Sequence, residues 1–102
     1  MVKRTLILWR DIPAQVILQR GRKREKAKLS ARFQEAIDRA AMRAGKGSSD
    51  AYLSEWRREA SRIDSDEPLE DMAQQEISRF EAEFSDERLL QLIRNHGSAS
   101  EQ

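Results

Sequence analysis

The chain has 102 residues, of which 38% are hydrophobic and 36% charged, with a net charge of +1 and no cysteine. That is the length of one domain with a modest core, and the missing thiols exclude disulfides, thiolate metal sites and cysteine nucleophiles. The small net charge hides a split: residues 1–46 hold 13 Lys/Arg and 4 Asp/Glu, a difference of +9, while residues 47–102 hold 6 and 14, a difference of −8.

Residues 2–10 read as a strand, apolar on both faces from Leu6 to Trp9, as a central strand would be. This longest apolar run falls far short of the roughly 20 residues that cross a bilayer. Arg10 and Asp11 interrupt it too early for a secretory core. The start of the chain therefore reads as structure, no membrane contact is expected, and the expected setting is the cytoplasm. Asp11-Ile12-Pro13 is a turn, with Pro13 tolerated there or as the first residue of the next strand. Residues 14–20 form that strand, and the short link makes the pair antiparallel.

Residues 20–28 are basic, with Arg20, Arg22, Lys23, Arg24, Lys26 and Lys28 opposed only by Glu25. They read as an exposed loop with a short extended piece before Leu29. Ser30 is an N-cap candidate whose hydroxyl can accept from a first-turn amide. The helix it opens runs from Ala31 to Ala44, with Phe33, Ile37, Ala40, Ala41 and Ala44 as its buried stripe. Gly45 supplies a left-handed stop.

Residues 45–50 read as a loop. Residues 51–58 fit two patterns. Tyr52, Ser54, Trp56 and Arg58 alternate as in a strand, while Tyr52 and Trp56 at i, i+4 also suit a helix face. The strand is adopted, because a lone hairpin has too little support without a third strand. Asp64 to Pro68 forms an acidic helix start. Leu69, Met72, Ala73, Ile77, Phe80 and Phe84 keep helical period to residue 84. Ser85 caps a short last helix that Gly97 ends, and Ser98 to Gln102 are expected to fray. The expected fold is α+β: a three-stranded antiparallel or mixed sheet packed by three helices, in the order ββαβαα, over residues 1–97.

The stretch from Trp9 to Val16, Trp9-Arg10-Asp11-Ile12-Pro13-Ala14-Gln15-Val16, resembles the small bacterial "virulence factor" domain family. Similarity continues through Gly21 to Lys26 and is strongest from Arg32 to Gly45, Arg32-Phe33-Gln34-Glu35-Ala36-Ile37-Asp38-Arg39-Ala40-Ala41-Met42-Arg43-Ala44-Gly45. Asp50-Ala51-Tyr52-Leu53 and Glu55-Trp56-Arg57-Arg58 also match. The family occurs as a stand-alone protein in alphaproteobacteria and inside a staphylococcal conserved virulence factor. Stand-alone members tend to be encoded near corrinoid and folate one-carbon enzymes. The resemblance implies an accessory module beside larger proteins, and it transfers no catalytic residue.

Three clusters stand out as interaction candidates. Trp9, Arg10 and Asp11 form a corner where a guanidinium beside an aromatic ring suits a carboxylate, phosphate or partner side chain. The plainer alternative packs Trp9 in the core and pairs Arg10 with Asp11 or an acidic helix. Arg22, Lys23, Arg24 and Lys26 offer charge to an acidic protein surface or, with Lys28, to phosphates. That segment has no aromatic for base stacking, and a pI near 8.1 is low for nucleic-acid binding. Trp56, Arg57 and Arg58 make a second Arg/aromatic cluster of the sort that anchors interfaces.

His96 stands alone, so no His-based zinc site or catalytic triad is expected. Met42 and Met72 read as core filler, and the Asp64–Asp71 carboxylates as helix-start charge. No catalytic residue, metal or cofactor is expected. The expected function is a non-catalytic, protein-binding accessory domain whose larger partner has an acidic surface. The alternatives are a nucleic-acid-binding module using residues 20–28 and an enzyme subunit whose site a partner completes.

Overall fold

The computed structural model describes residues 1–46 and 48–99. Four strands, β1 (Val2–Trp9), β2 (Ile12–Arg20), β3 (Lys23–Lys28) and β4 (Trp56–Ile63), form one sheet in the order β3-β2-β1-β4. Every neighbouring pair is antiparallel. The helices are α1 (Ala31–Arg43), α2 (Ser49–Leu53), α3 (Leu69–Glu83) and α4 (Asp86–Arg94). The class is α+β as expected, with four strands where three were expected and four helices where three were expected. No helix among the described residues is long and apolar enough to cross a membrane.

Two basic or polar segments account for the extra elements. Residues 23–28, expected as mostly loop, pair with β2 from Arg20↔Lys23 to Gln15↔Lys28. The reading of 51–58 as one strand is corrected: helix α2 ends at Leu53 and the strand starts at Trp56. Both aromatic spacings were therefore meaningful. Tyr52 lies on the helix and Trp56 opens the strand, and their rings meet edge to face at 5.9 Å.

Pro13 sits at an irregularity in the β1–β2 ladder, where the register shifts between Ile7 and Leu8. Leu8 pairs with Pro13 and Ile7 with Gln15, so Ala14 is the extra residue of a bulge. A proline has no N–H for the ladder, which confines it to such places. On the other side of β2 the Ala14 carbonyl accepts the Leu29 amide at 3.0 Å, carrying the β2–β3 ladder one step further toward the start of α1.

Val2, Leu6 and Leu8 of β1 and Val16 and Leu18 of β2 face the helices and are nearly inaccessible. The Phe33, Ile37, Ala40 and Ala41 stripe of α1 closes on Leu89, Leu92 and Ile93 of α4, while α3 crosses β2 and β3. Phe84 joins the layers, with its ring 5.8 Å from Phe33 and 6.1 Å from Phe80. Met72 is buried in this core, but Met42 is 73% exposed and fills no interior. Ala44 is the C-cap residue of α1 and half-buried, not a stripe position.

Ser85 caps α4 as expected, accepting from the Arg88 amide at 3.1 Å. Ser30 occupies the N-cap of α1 but makes no cap bond. Its hydroxyl instead donates to Glu81 Oε1 at 3.0 Å and its amide to Glu81 Oε2 at 2.8 Å, so the residue is spent on fastening the start of α1 to an α3 carboxylate. Beyond Gly97 the Ser98 amide donates to Asn95 O and the Ala99 amide to Asp11 Oδ2. The remaining fraying expectation, for 100–102, lies outside the described residues.

Candidate interaction face

Strand alternation sorts side chains onto two faces. Arg4 reaches Glu76 on α3 and Arg20 reaches the carbonyls of Ser65 and Glu67, which fixes their parity as the helix side. The opposite parity forms three cross-strand rows in the order β3, β2, β1, β4. They are Lys28-Gln15-Ile7-Arg58, Lys26-Ile17-Thr5-Ala60 and Arg24-Gln19-Lys3-Arg62.

This face carries Lys3, Arg24, Lys26, Lys28, Arg58 and Arg62 and no carboxylate. All six cations are exposed. Cations line both edges, roughly 14 Å apart across three strand spacings. Between them lies a neutral centre of Thr5, Ile7 and Ile17. Ile17 is only 6% exposed yet lies outside the main core cluster. The aliphatic stems of the flanking lysines and arginines are suited to cover it.

Where the face approaches the bulge, Ala14, Gln15, Lys28 and Trp56 line a hollow of about 420 Å³ with Ser30, Ala31 and Gln34 from the start of α1. Gln15 Oε1 is buried there without a hydrogen-bond partner among the described residues.

The Trp9-Arg10-Asp11 corner is engaged within the fold. Trp9 is fully buried, stacks on Tyr52 at 6.0 Å and donates its Nε1–H to Tyr52 O at 2.9 Å. Arg10 takes a left-handed φ of 54° and donates to Glu55 Oε1 at 3.2 Å and to His96 O at 2.9 Å. Asp11 accepts from Arg57 at 2.7 Å and from the Ala99 amide at 2.6 Å. Arg57 also donates to Arg10 O at 2.7 Å and pairs with Glu59.

Local charges follow these bonds. The Arg10 guanidinium, helped by Lys46, holds the Glu55 carboxyl below its usual range against the opposing effect of burial. Glu59 raises the Arg57 pKa, burial opposes it and Asp11 adds to the rise.

The interaction candidates thus fall into two groups. Trp9, Arg10, Asp11 and Arg57 knit the β1–β2 turn to β4 and the C-terminal segment. Arg24, Lys26 and Arg58 come together on the open face. Arg22 lies in the β2–β3 turn and Lys23 has the opposite parity. Trp56 is half-buried at the rim. Lys3 and Arg62 were missed as site residues. Arg58-x-Ala60-x-Arg62 alternates like Arg24-x-Lys26-x-Lys28, and that shared period was the available signal.

The charge split is partly resolved inside the molecule. Arg4–Glu76, Arg32–Glu81 and Arg32–Asp86 join the basic and acidic halves. What remains is a helix layer bearing acids and an open sheet face bearing cations.

The molecule is thus an open antiparallel sheet backed on one side by helices, with cations on the uncovered side. Residues 7–93 match the family model described as Virulence factor, most of the chain, and the protein belongs to that family. No curated protein and no solved structure matches it.

Proposed function

We propose that the protein is a binding module whose open sheet face docks an acidic surface of a larger protein. The observation that carries this reading is the set of six exposed cations on one face without a single carboxylate. Each lacks an ion-pair partner among the described residues, so no internal contact must break on docking. The centre between the cations is small and partly apolar, which suits a protein surface. A platform for single-stranded nucleic acid stacks bases on aromatic rings across the strands, and these three rows contain none. The resemblance makes corrinoid and folate one-carbon enzymes the first partners to examine.

A photo-crosslinking residue placed at Lys26 and, as a control, at Glu83 on α3 tests the reading in native extract. Crosslinks to an acidic protein from position 26 alone, suppressed in about 0.5 M salt, are expected. Crosslinks to nucleic acid, or equal capture from both positions, overturn it.

A further inference from the structure

We propose that the free edge of β4 takes an extended acidic segment of the partner as a fifth strand, with carboxylates beside Arg58 and Arg62. The proposal rests on the reading of the open face and names the form of its ligand. β4 is a whole strand, Trp56–Ile63, paired on one side only, to β1, in a regular register without a bulge. Native edge strands are normally kept short, bent or covered, because an open edge templates pairing. Here Arg57 to Arg62 are all exposed. Ala60 and Ser61 at the middle are small, so another backbone can approach.

The phase of the ladder says which groups are free. The Arg10 amide donates to Glu55 O at 3.1 Å, continuing the β1–β4 ladder. Hydrogen-bonded pairs alternate along an antiparallel ladder. Arg57, Glu59 and Ser61 therefore bond inward to β1. The amides and carbonyls of Arg58, Ala60 and Arg62 point outward, and these are the residues whose side chains stand on the open face.

Charge selects the occupant. An added strand with acids at two positions four apart meets Arg58 and Arg62 on the open side. Its middle residue lies beside Ala60, whose small side chain lets a bulky neighbour lean inward toward Thr5. On the helix side Arg57 is already held by Asp11 and Glu59, so neutral residues fit there. A second copy of this chain is the poorer occupant. Symmetric pairing about Ala60 sets Arg58 against Arg62 of the other copy, and any symmetric pairing of two β4 strands joins two basic faces on one side of the enlarged sheet.

The test uses the full chain and a synthetic peptide, Thr-Glu-Thr-Tyr-Thr-Glu-Thr with blocked ends, followed by amide hydrogen exchange and NMR titration. Exchange at the Arg58, Ala60 and Arg62 amides should slow by at least about tenfold at saturation. The exposed double variant Arg58→Glu/Arg62→Glu should weaken binding by about tenfold or more and bind the same peptide with lysines in place of its glutamates. Peptide binding whose shifts centre on Ile17 and Lys26, without protection along β4, overturns strand addition while leaving the open face as the docking surface. The same follows if a crosslinked acidic partner binds normally to the double variant. Protection of these amides in the free protein, with a dimer in sedimentation, overturns it in favour of a second copy. Failure of the crosslinking experiment removes the underlying reading instead.

Discussion

Gly97 lies so close to Trp9 that a Cβ built on it would stand 2.8 Å from Trp9 Cζ3. Gly97 also has φ +91°, a left-handed region costly for other residues. Its carbonyl accepts the Asp11 amide at 2.9 Å, so the glycine fastens the last turn to the β1–β2 corner. Gly97→Ala combines overpacking against a rigid, fully buried ring with backbone strain. It should destabilise the fold by about 2–4 kcal/mol, read from the midpoint of urea unfolding. Gly21, also at positive φ but with nothing near its Cβ, should lose only about 1 kcal/mol on the same substitution. Equal losses at the two sites would refute the packing role of Gly97.

Acid should loosen the α1–α3 junction. Burial pushes the Glu81 carboxyl upward, but the Ser30 amide and hydroxyl and the Arg32 guanidinium outweigh it, leaving the pKa below the ordinary 4.5. A carboxyl depressed in the folded state contributes stability that is present above 4.5 and is lost as pH falls through the folded pKa. Glu81→Gln should cost on the order of 1 kcal/mol at neutral pH. It should also flatten the decline in stability below about pH 4.5. Glu55, depressed chiefly by Arg10, should account for part of the decline that remains, so Glu55→Gln/Glu81→Gln is flatter still. An unchanged acid limb in the double variant would contradict the assignment.

The elements that the sequence made legible are those with a buried side. β1 shows Val2, Leu6, Leu8 and Trp9, and α1 and α4 repeat apolar residues at helical spacing around small or branched partners. β3 and β4 lack that signal because both are sheet edges with cations on the open face. In β3 only Ala27 is apolar, and in β4 every residue from Arg57 to Arg62 is exposed, so no apolar period marks either strand. The same fact hid the candidate face: its charges are scattered over three strands, β1, β3 and β4, and meet only when the register is known. Burial of Trp9 was anticipated as an alternative, but Arg10 pairs with Glu55 and not with Asp11 or an acidic helix, and nothing local in Trp9-Arg10-Asp11 reveals that Arg57 and Ala99 converge on one carboxylate.

Charge reversal should separate the two groups of candidate residues. Arg24 and Lys26 are exposed, have no acidic partner among the described residues and stand beside other cations. Arg24→Glu/Lys26→Glu should change stability by no more than about 0.5 kcal/mol, or raise it slightly by relieving like-charge repulsion. Asp11→Ala removes the acceptor shared by Arg57 and the Ala99 amide and should cost about 1–2 kcal/mol. Thermal unfolding of the two variants checks the contrast. A large loss in the first would mean that the open face is held by internal contacts and is not available for docking.

The two tryptophans give independent optical reporters of the corner and the face. Trp9 is inaccessible to water, and its indole N–H is bonded to a backbone carbonyl. Trp56 is half-buried at the rim of the open face, with its ring against Tyr52. In Trp56→Phe, which leaves Trp9 as the sole tryptophan, emission should be blue-shifted and acrylamide quenching weak, because a buried indole is shielded from solvent and quencher. Trp9→Phe should instead report Trp56, with red-shifted emission and quenching several-fold stronger. That variant removes the indole donor to the Tyr52 carbonyl, which keeps the longer bond from the Glu55 amide at 3.3 Å, and trims a fully buried ring. It should also lose about 2–3 kcal/mol, so its spectra belong at low temperature, well below its unfolding midpoint. Saturating acidic peptide should reduce quenching of Trp56 and leave Trp9 unaffected, since a seven-residue strand centred on Ala60 ends opposite Arg57 with its blocking group beside Trp56. A peptide that shielded Trp9 instead would have to open the Gly97 contact, and the docking geometry argued for β4 would then be wrong.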